Sequence, residues 1–497
     1  MNYTEMKLQA RNDCLKSKAK NYIHFDKPLT AAAKKKLLRK LDSDTYVRTF
    51  RHLPFITFNI NFKKYGYLDK VNPKKGLHNK SRMISLASHH DALLFSYYGR
   101  ILSMCYQKYV TNTDIDKIAV AYRPGKSNVT GAKEVFDYLW RTGDSWIIKG
   151  DFSSFFDNLN HQILFKNTKQ ILKTYCNGKI PKDWQAVLNA VTKYRSISKG
   201  DLKSLQVSEG RYKGGMGVIS ELSRANQLKV SGPNKKGIPQ GTSISSVLAN
   251  VYMLEFDGCV EELIKPYGGL YRRYSDDFAI ILPAAGCSEE NIRNIQDKVK
   301  AVCRSKVLLE IESSKSKLLR YNRAQGAIYF ENTHKRFNFD FLGFSFTGRK
   351  VILRPRTIYK FRYKGRHAVY LLKRNMNERD IALSTQYEIH KKEYLAHRAP
   401  SKQNQVAKRL DSVRRDAQRG YALRSRKKVT VMYLVNKPLF HQNMRSYAKM
   451  AQQKMSVKIE GTDSLYQVKI EKPIVKQIGY FQRLFGETRY KRPYRGL

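Results

Sequence analysis

Near-strict alternation of apolar and polar residues over Phe55–Phe62 (FITFNINF) predicts a β-strand, because successive side chains of a strand point to opposite faces. Residues 83–110 are apolar and aromatic at helical spacing and predict a helical region; Pro124-Gly125 then marks a turn, and a helix is expected from about Thr130 to Trp140. Trp146-Ile147-Ile148 reads as a short buried strand that ends in Lys149-Gly150-Asp151. Residues 160–230 read as mostly helical, and the Gly/Pro loop Gly237–Gly241 opens a helix expected to run to about Leu263. Residues 270–282 carry a hairpin pattern, two apolar strands around Ser275-Asp276. A helix over Ile292–Arg304 and strands over Val307–Ile311, Phe337–Phe346 and Val351–Leu353 follow, then helical stretches broken by basic loops. No internal repeat stands out, and no apolar run reaches the roughly 18 residues of a membrane span.

Charge sharpens this picture. The 497 residues hold 94 Lys+Arg against 41 Asp+Glu, a formal +53. Such a surplus repels itself unless a polyanion neutralises it, and nucleic-acid phosphates do so with release of counterions. The excess is spread along the chain: residues 351–497 contain 35 basic and 10 acidic side chains. A duplex cradle fits this better than a localisation signal, and a merely solvated basic surface is the plainer alternative. Six scattered cysteines with no C-x-x-C pair argue against a zinc ribbon or a disulfide framework. The N-terminus lacks an apolar signal region, so a reducing cytoplasm is expected.

Three features carry chemistry. Asp276-Asp277 in YRRYSDDFAIIL sets two adjacent carboxylates at a turn between apolar strands, where their repulsion calls for a cation, although such residues also cap ordinary hairpins. IIKGDFSSFFD ends an apolar strand in a lone carboxylate, Asp151. Strands bearing one and two carboxylates can hold two Mg²⁺ ions about 3.5–4 Å apart, the arrangement of two-metal phosphoryl transfer. Asp157 reads as a helix-starting cap. In GIPQGTSISSVLAN, Gly237 and Gly241 permit close backbone approach to a ligand, and Ser243, Ser245, Ser246 and Ala249 leave room for one beside the helix.

In that order, these segments resemble the reverse transcriptase family. SRMISLASHHDALL and AYRPGKSNVTGA resemble its two fingers motifs, KGDFSSFFDNL its first metal motif, GIPQGTSISSVLAN its template–nucleotide loop and YSDD its second metal motif. LEIESSKSKL resembles the following lysine motif and FDFLGFSF the primer grip, so the resemblance covers about residues 80–350. It implies an α+β right-hand polymerase with an antiparallel palm sheet. Fingers would occupy 1–140, the palm 141–350 with a helical insertion at about 166–234, and a basic, mostly helical thumb and RNA-binding extension 351–497. It implies two Mg²⁺ ions, with Mn²⁺ able to substitute, on Asp151, Asp276, Asp277 and the Phe152 carbonyl. Arg82 and Arg123 would clamp the triphosphate, Gln240 would touch nucleotide or template, and Lys315 would serve the pyrophosphate. Phe156 would exclude a 2′-hydroxyl, the alternative being that Phe155 or Phe156 is simply core, and Phe341, Leu342, Gly343 and Phe344 would grip the primer.

Retron elements fail at their diagnostic positions: Asn189-Ala190-Val191-Thr192-Lys193 lacks the histidine of N-A-x-x-H, and Lys428-Val429-Thr430-Val431 lacks the glycine of V-T-G. No Cys-rich endonuclease, RNase H or integrase pattern is visible. SHHDALLFSYYGRIL is similar to abortive-infection and unknown-group reverse transcriptases of bacterial phage defence. That resemblance implies a structured non-coding RNA partner, dNTP substrates, a DNA product, a homo-oligomer, and Tyr490 or Tyr494 as protein primers or base-stacking contacts, with a disordered basic tail as the plainer alternative; the lack of a long apolar run predicts no membrane. The competing readings are a retron-like or group II-like enzyme outside defence, a non-catalytic RNA-binding protein on the same scaffold, and an RNA-dependent RNA polymerase.

Overall fold

The computed structural model describes residues 1–18, 21–67, 75–176, 178–204, 215–418, 428–437, 443–458 and 465–486. The chain is mixed α+β and falls into two compact units, Met1–Gly131 with Asp144–Arg320, and Ala132–Gly143 with Tyr321–Leu497.

In chain order the elements begin with α1 (Tyr3–Lys16), α2 (Ala31–Lys40), α3 (Asp44–Arg48), β1 (Phe55–Tyr67), β2 (Lys75–Leu86), α4 (His89–Val110) and α5 (Asn128–Thr142). Next come β3 (Ser145–Asp151), α6 (Phe155–Asn158), α7 (His161–Tyr175), α8 (Lys182–Thr192), β4 (Ser196–Ser198), α9 (Lys199–Ser204) and α10 (Gly215–Arg224). Then follow α11 (Ser243–Tyr252), α12 (Leu254–Ile264), β5 (Leu270–Tyr274), β6 (Asp277–Pro283), α13 (Glu289–Val307) and β7 (Lys317–Asn322). The first unit has one sheet in the order β2-β1-β4 and strands in the order β5-β6-β3-β7. Its core gathers α4, α7, α8, α11 and α12 around buried Tyr97, Tyr98, Trp184, Tyr252 and Phe256. Gly99 lets α4 and α11 approach: a Cβ there would lie 3.1 Å from the Ile244 Cα. The Ser side chains of α11 are thus only partly left to the surface; Ser245 is buried and donates to the Pro239 carbonyl at 2.7 Å.

The second unit contains β8 (Ala327–Phe330), β9 (Arg336–Phe337), β10 (Phe339–Phe341), β11 (Phe344–Phe346) and β12 (Lys350–Leu353). After them come α14 (Pro355–Ala382), α15 (Tyr387–Ala396), α16 (Pro400–Gln418), a π-helical turn (Thr430–Leu434), α17 (Met444–Met455), β13 (Gln467–Lys469) and α18 (Glu471–Gly486). Its sheet has the order β10-β11-β12-β13.

Several expected elements differ. The helical region does not start at residue 83: Ser81–Leu86 pairs with β1, and α4 starts only after Ser88, whose side chain caps it by accepting the Asp91 N–H. The helix after Gly241 breaks at Met253 into α11 and α12. Val307–Ile311 is no strand, because α13 runs to Val307 and closes on a left-handed Leu308 (φ 49°); Ile311 alone bridges Phe152. Phe337–Phe346 is not continuous either. Phe341 pairs with Phe344 across a two-residue turn in which Leu342 (φ 47°) and Gly343 (φ 92°) both take positive φ, the demand of a type I′ hairpin.

Candidate active site

Strand β3 places Asp151 at its end, directly across the antiparallel ladder from Asp277 of β6. On the other side the backbone of Glu310–Glu312 closes in: Glu312 N–H donates to the Asp151 carbonyl at 2.8 Å and Ser153 N–H to the Glu310 carbonyl at 2.9 Å. The β5–β6 turn brings Asp276 to the same edge, its carbonyl accepting the Phe152 N–H at 3.0 Å. Gly150 is needed one residue before Asp151, since a Cβ there would enter the Phe278 ring at 2.1 Å.

Asp151 and Asp276 line a cleft of about 590 Å³ together with Phe152, Arg82 of β2, Phe156, Gln240, Lys315 and Glu312. Six separated stretches of chain meet there. Lys315 Nζ lies 2.6 Å from Asp151 Oδ1. Gln240 gives its carbonyl to the Ser85 N–H at 2.9 Å and its amide to Asp157 Oδ1 at 3.3 Å. Phe156 is half-buried, whereas Phe155 is 3 % exposed and packs on the Phe152 ring. Asp157 does not start its helix; Ser154 holds the cap position, and Asp157 sits in the first turn with its carboxylate toward Gln240.

Burial raises both carboxylic acids of the turn. Asp277 is pushed up to about 6 by desolvation, reinforced by Asp151 and Asp276 and opposed by Lys149, whose Nζ lies 3.5 Å from Asp277 Oδ1. Asp276 is raised by burial and by Asp151, against Lys315 and Arg82. Clustered oxygens that resist ionising together are the donor set a hard divalent cation takes, with substrate phosphates and water completing its shell. Among the described residues no three His, Cys, Asp or Glu enclose a metal by themselves. Asp151 and Asp276 on the cleft wall fit an open site of this kind.

Backbone strain gathers at the same place. Tyr122 (φ 58°), Ser154 (φ 44°) and Ser275 (φ 59°) line the cleft in the left-handed region that non-glycine residues avoid. The loop glycines also let the chain pack closely on itself. A Cβ on Gly237 would lie 2.6 Å from the Asp157 carbonyl oxygen, and one on Gly241 2.9 Å from that of Ser85. They seat the loop on its own neighbours.

Arg123 does not line this cleft. Arg123 is buried, its guanidinium spent on Gln107 Oε1 (2.9 and 3.0 Å), the Ala119 carbonyl (3.1 Å) and Asp116. Phe341–Phe344 belong to the second unit as a hairpin. Tyr490 and Tyr494 lie outside the described residues. Lys428–Val431 enters the π-helical turn.

Sequence reasoning missed the support beneath the turn. Arg273 and Asp257 are both fully buried and meet through Nε–Oδ1 (2.8 Å) and Nη2–Oδ2 (2.6 Å), while Arg273 Nη1 holds the Ser275 carbonyl at 3.2 Å. Burial works against this charge, but Asp257 holds the guanidinium above its ordinary range. The available signal was a pair of arginines, Arg272 and Arg273, inside a five-residue strand otherwise made of Leu270, Tyr271 and Tyr274.

Residues 72–346, over half of the chain, match the family model described as reverse transcriptase (RNA-dependent DNA polymerase). Protein YkfC of Escherichia coli (strain K12) is 21 % identical over 248 residues, 43 % of this chain and 54 % of that protein. The chain thus spans about half the length of the curated relative it matches. Among solved structures, apo telomerase from Candida tropicalis truncated from its C-terminal domain is similar at TM-score 0.40 and 13 % identity, over 66 % of this chain and 61 % of that one. Telomerase from Candida albicans with the TWJ fragment of telomeric RNA gives TM-score 0.35 and 15 % identity, over 64 % and 51 %.

Proposed function

Because the chain belongs to the reverse transcriptase family, we propose that it is an RNA-directed DNA polymerase whose reacting groups meet in the cleft of Asp151 and Asp276. The observation that carries this is the convergence of those two carboxylates with Arg82, Phe156, Gln240 and Lys315 on one cleft. Asp151, Asp276, Asp277 and the Phe152 carbonyl would hold two Mg²⁺ ions, which when bound supply charge neutralisation at the primer hydroxyl and the triphosphate. Arg82 on the exposed side of β2 binds triphosphate oxygens as a charge-assisted fork. Lys315 stands at Asp151 Oδ1, within reach of a phosphate or of a departing pyrophosphate that needs a proton. Gln240 is braced by Asp157 and Ser85 and presents its amide edge to the nucleotide or template. The Phe156 ring fills the space beside the sugar 2′-position and selects dNTPs. Arg123 takes a positioning role, since its charge is already met by Asp116.

Fingers over 1–140, palm over 141–350 and thumb over 351–497 are the division proposed with this reading. The template is proposed to come from a structured non-coding RNA, and the setting to be bacterial phage defence. The similarity of SHHDALLFSYYGRIL supports that subgroup, and the +25 of residues 351–497 supports RNA on the C-terminal region. On α14 the strongly exposed Tyr359, Tyr363 and Tyr370, interspersed with Arg and Lys, offer base-stacking and phosphate contacts. Six free thiols suit a cytoplasmic setting, and among the described residues no helix is long and apolar enough to cross a membrane. A homo-oligomer and priming from Tyr490 or Tyr494 complete the proposal.

The test is to purify the protein with the RNA it carries and add Mg²⁺ and each labelled dNTP. Synthesis is expected with wild type and is lost in Asp276→Ala; DNA label remaining on protein after nuclease marks a protein primer. Equal synthesis in Asp276→Ala, or none from wild type with RNA still bound, would favour the non-catalytic scaffold. In the same assay Phe156→Ala is expected to accept NTPs roughly 5- to 150-fold better, the equivalent of relieving about 1–3 kcal/mol of steric overpacking.

A further inference from the structure

A second cleft of about 720 Å³, sharing no residue with the first, opens between α3, the start of β1, α8 and α10. Its charge is one-sided. Arg48, Lys193, Arg195 and Arg224 line it, all exposed, and none pairs with a carboxylate of the described residues. Among the described residues the one acid on the wall is Asp91, and it is already engaged. It is 2 % exposed and receives His52 Nδ1 (2.6 Å), the Leu53 N–H (3.2 Å) and the Ser88 hydroxyl (2.7 Å). Four cations around one concavity, unpaired among the described residues, create a field that an anion satisfies, and three of them are guanidiniums whose fork matches phosphate oxygens.

The rest of the wall is aromatic. The Phe50 and His52 rings lie 5.0 Å apart, and Tyr194 packs edge-on against Phe55 at 5.1 Å. Phe50, His52 and Tyr194 are half-buried, so part of each ring stays open to the cleft, and the Asp91 bond fixes the His52 ring. A site for phosphate alone has no use for such rings; a ligand with a flat base beside its phosphate does. Asn189, on the last turn of α8, adds an amide with donors and an acceptor for a base edge. The segment Asn189–Lys193, which departs from the retron pattern by carrying Lys193 in place of histidine, therefore turns a cation into this cleft.

We propose that this cleft is a nucleoside-phosphate site separate from the polymerase cleft, in which Arg48, Lys193, Arg195 and Arg224 take the phosphate and Phe50, His52 and Tyr194 take the base. The ligand is either a free nucleotide or the 5′-phosphorylated terminal nucleotide of a strand, since both present the same groups. The proposal does not rest on the polymerase reading, and its test uses neither Mg²⁺ nor DNA synthesis.

Full-length protein in EDTA is photolabelled with 8-azido-ATP and the adducts are mapped by peptide mass spectrometry. Saturable label is expected in the peptides holding Phe50–Phe55 and Asn189–Arg195, at least tenfold lower in Lys193→Glu/Arg195→Glu and in Tyr194→Ala. Arg224→Glu, on a different helix, serves as a second charge variant, with circular dichroism verifying the fold of each. Competition by free ATP assigns the site to free nucleotides. Competition by a 5′-phosphorylated oligoribonucleotide, and not by free ATP, assigns it to strand ends. Label confined to other peptides, undiminished label in folded Lys193→Glu/Arg195→Glu and Arg224→Glu, or equal displacement by inorganic phosphate or a 5′-hydroxyl oligoribonucleotide would overturn the proposal.

Discussion

Arg273 keeps a full positive charge out of contact with water because Asp257, equally buried, meets it at two points. Neither partner can be removed without stranding the other in a low-dielectric interior, a loss that costs about 3–5 kcal/mol. Arg273→Met and Asp257→Asn are therefore expected to lose about that much in denaturant unfolding, and Arg273→Met also to weaken synthesis by freeing the Ser275 carbonyl. Unchanged midpoints would remove the pair from the support of the turn. His24 makes a pH-dependent case. It is fully buried with Nε2 on the Leu86 carbonyl at 3.2 Å, and burial lowers it to about 4 although Asp26 pulls the other way. An unfolded histidine titrates near 6.5, so protons favour the unfolded chain below that value. The His24 contribution, of order 3 kcal/mol, is present above about pH 6.5 and is lost as pH falls toward 4. Asp277, pushed up to about 6, acts oppositely in the same window. The quantity to measure is thus the difference in stability slope between wild type and His24→Gln; parallel curves would mean that His24 titrates normally.

At the level of elements, glycines decide how closely backbones and rings meet. Gly365 on α14 faces Phe481 of α18, and a Cβ there would fall 2.1 Å from the ring of a fully buried phenylalanine. Gly365→Ala is expected to destabilise the second unit by about 1–3 kcal/mol through overpacking, read as a lower unfolding midpoint; a neutral result would mean that the two helices separate without cost. The hairpin of Leu342 and Gly343 belongs to the same class of constraint. Its type I′ turn asks positive φ of a leucine, which a plain buried strand would never need. The palindromic look of FDFLGFSF reflects this: Phe339, Phe341, Phe344 and Phe346 pair across the turn and are all buried.

For the molecule as a whole, the formal +53 sets the terms on which nucleic acid binds. A protein that contacts about 6–10 phosphates loses about 10³–10⁵ in affinity between roughly 50 and 200 mM salt. RNA binding by the full chain is expected to fall by at least about 10³ over that range, as measured by fluorescence anisotropy. A nearly flat salt dependence would mean that the basic surplus is held away from the phosphates.

Local physics was legible in the residues alone. The period-2 stretch at Phe55–Phe62, the Ser275-Asp276 hairpin and the strand ending at Asp151 each depend on neighbours a few positions away, and each forms as its pattern predicts. The ordered motifs between residues 80 and 350 carried the family for the same reason, and the match to residues 72–346 agrees. Burial and charge pairing depend on segments far apart in sequence, so only the folded chain settled them. It spent Arg123 on Asp116, set Lys315 on Asp151, put Phe155 in the core with Phe156 beside the cleft, and turned Ser81–Leu86 into a strand by supplying β1 as partner. The basic and aromatic cleft from Arg48 to Val230 left no trace in any sequence window, because residues of one charge sign become a site only when folding brings them to the same wall.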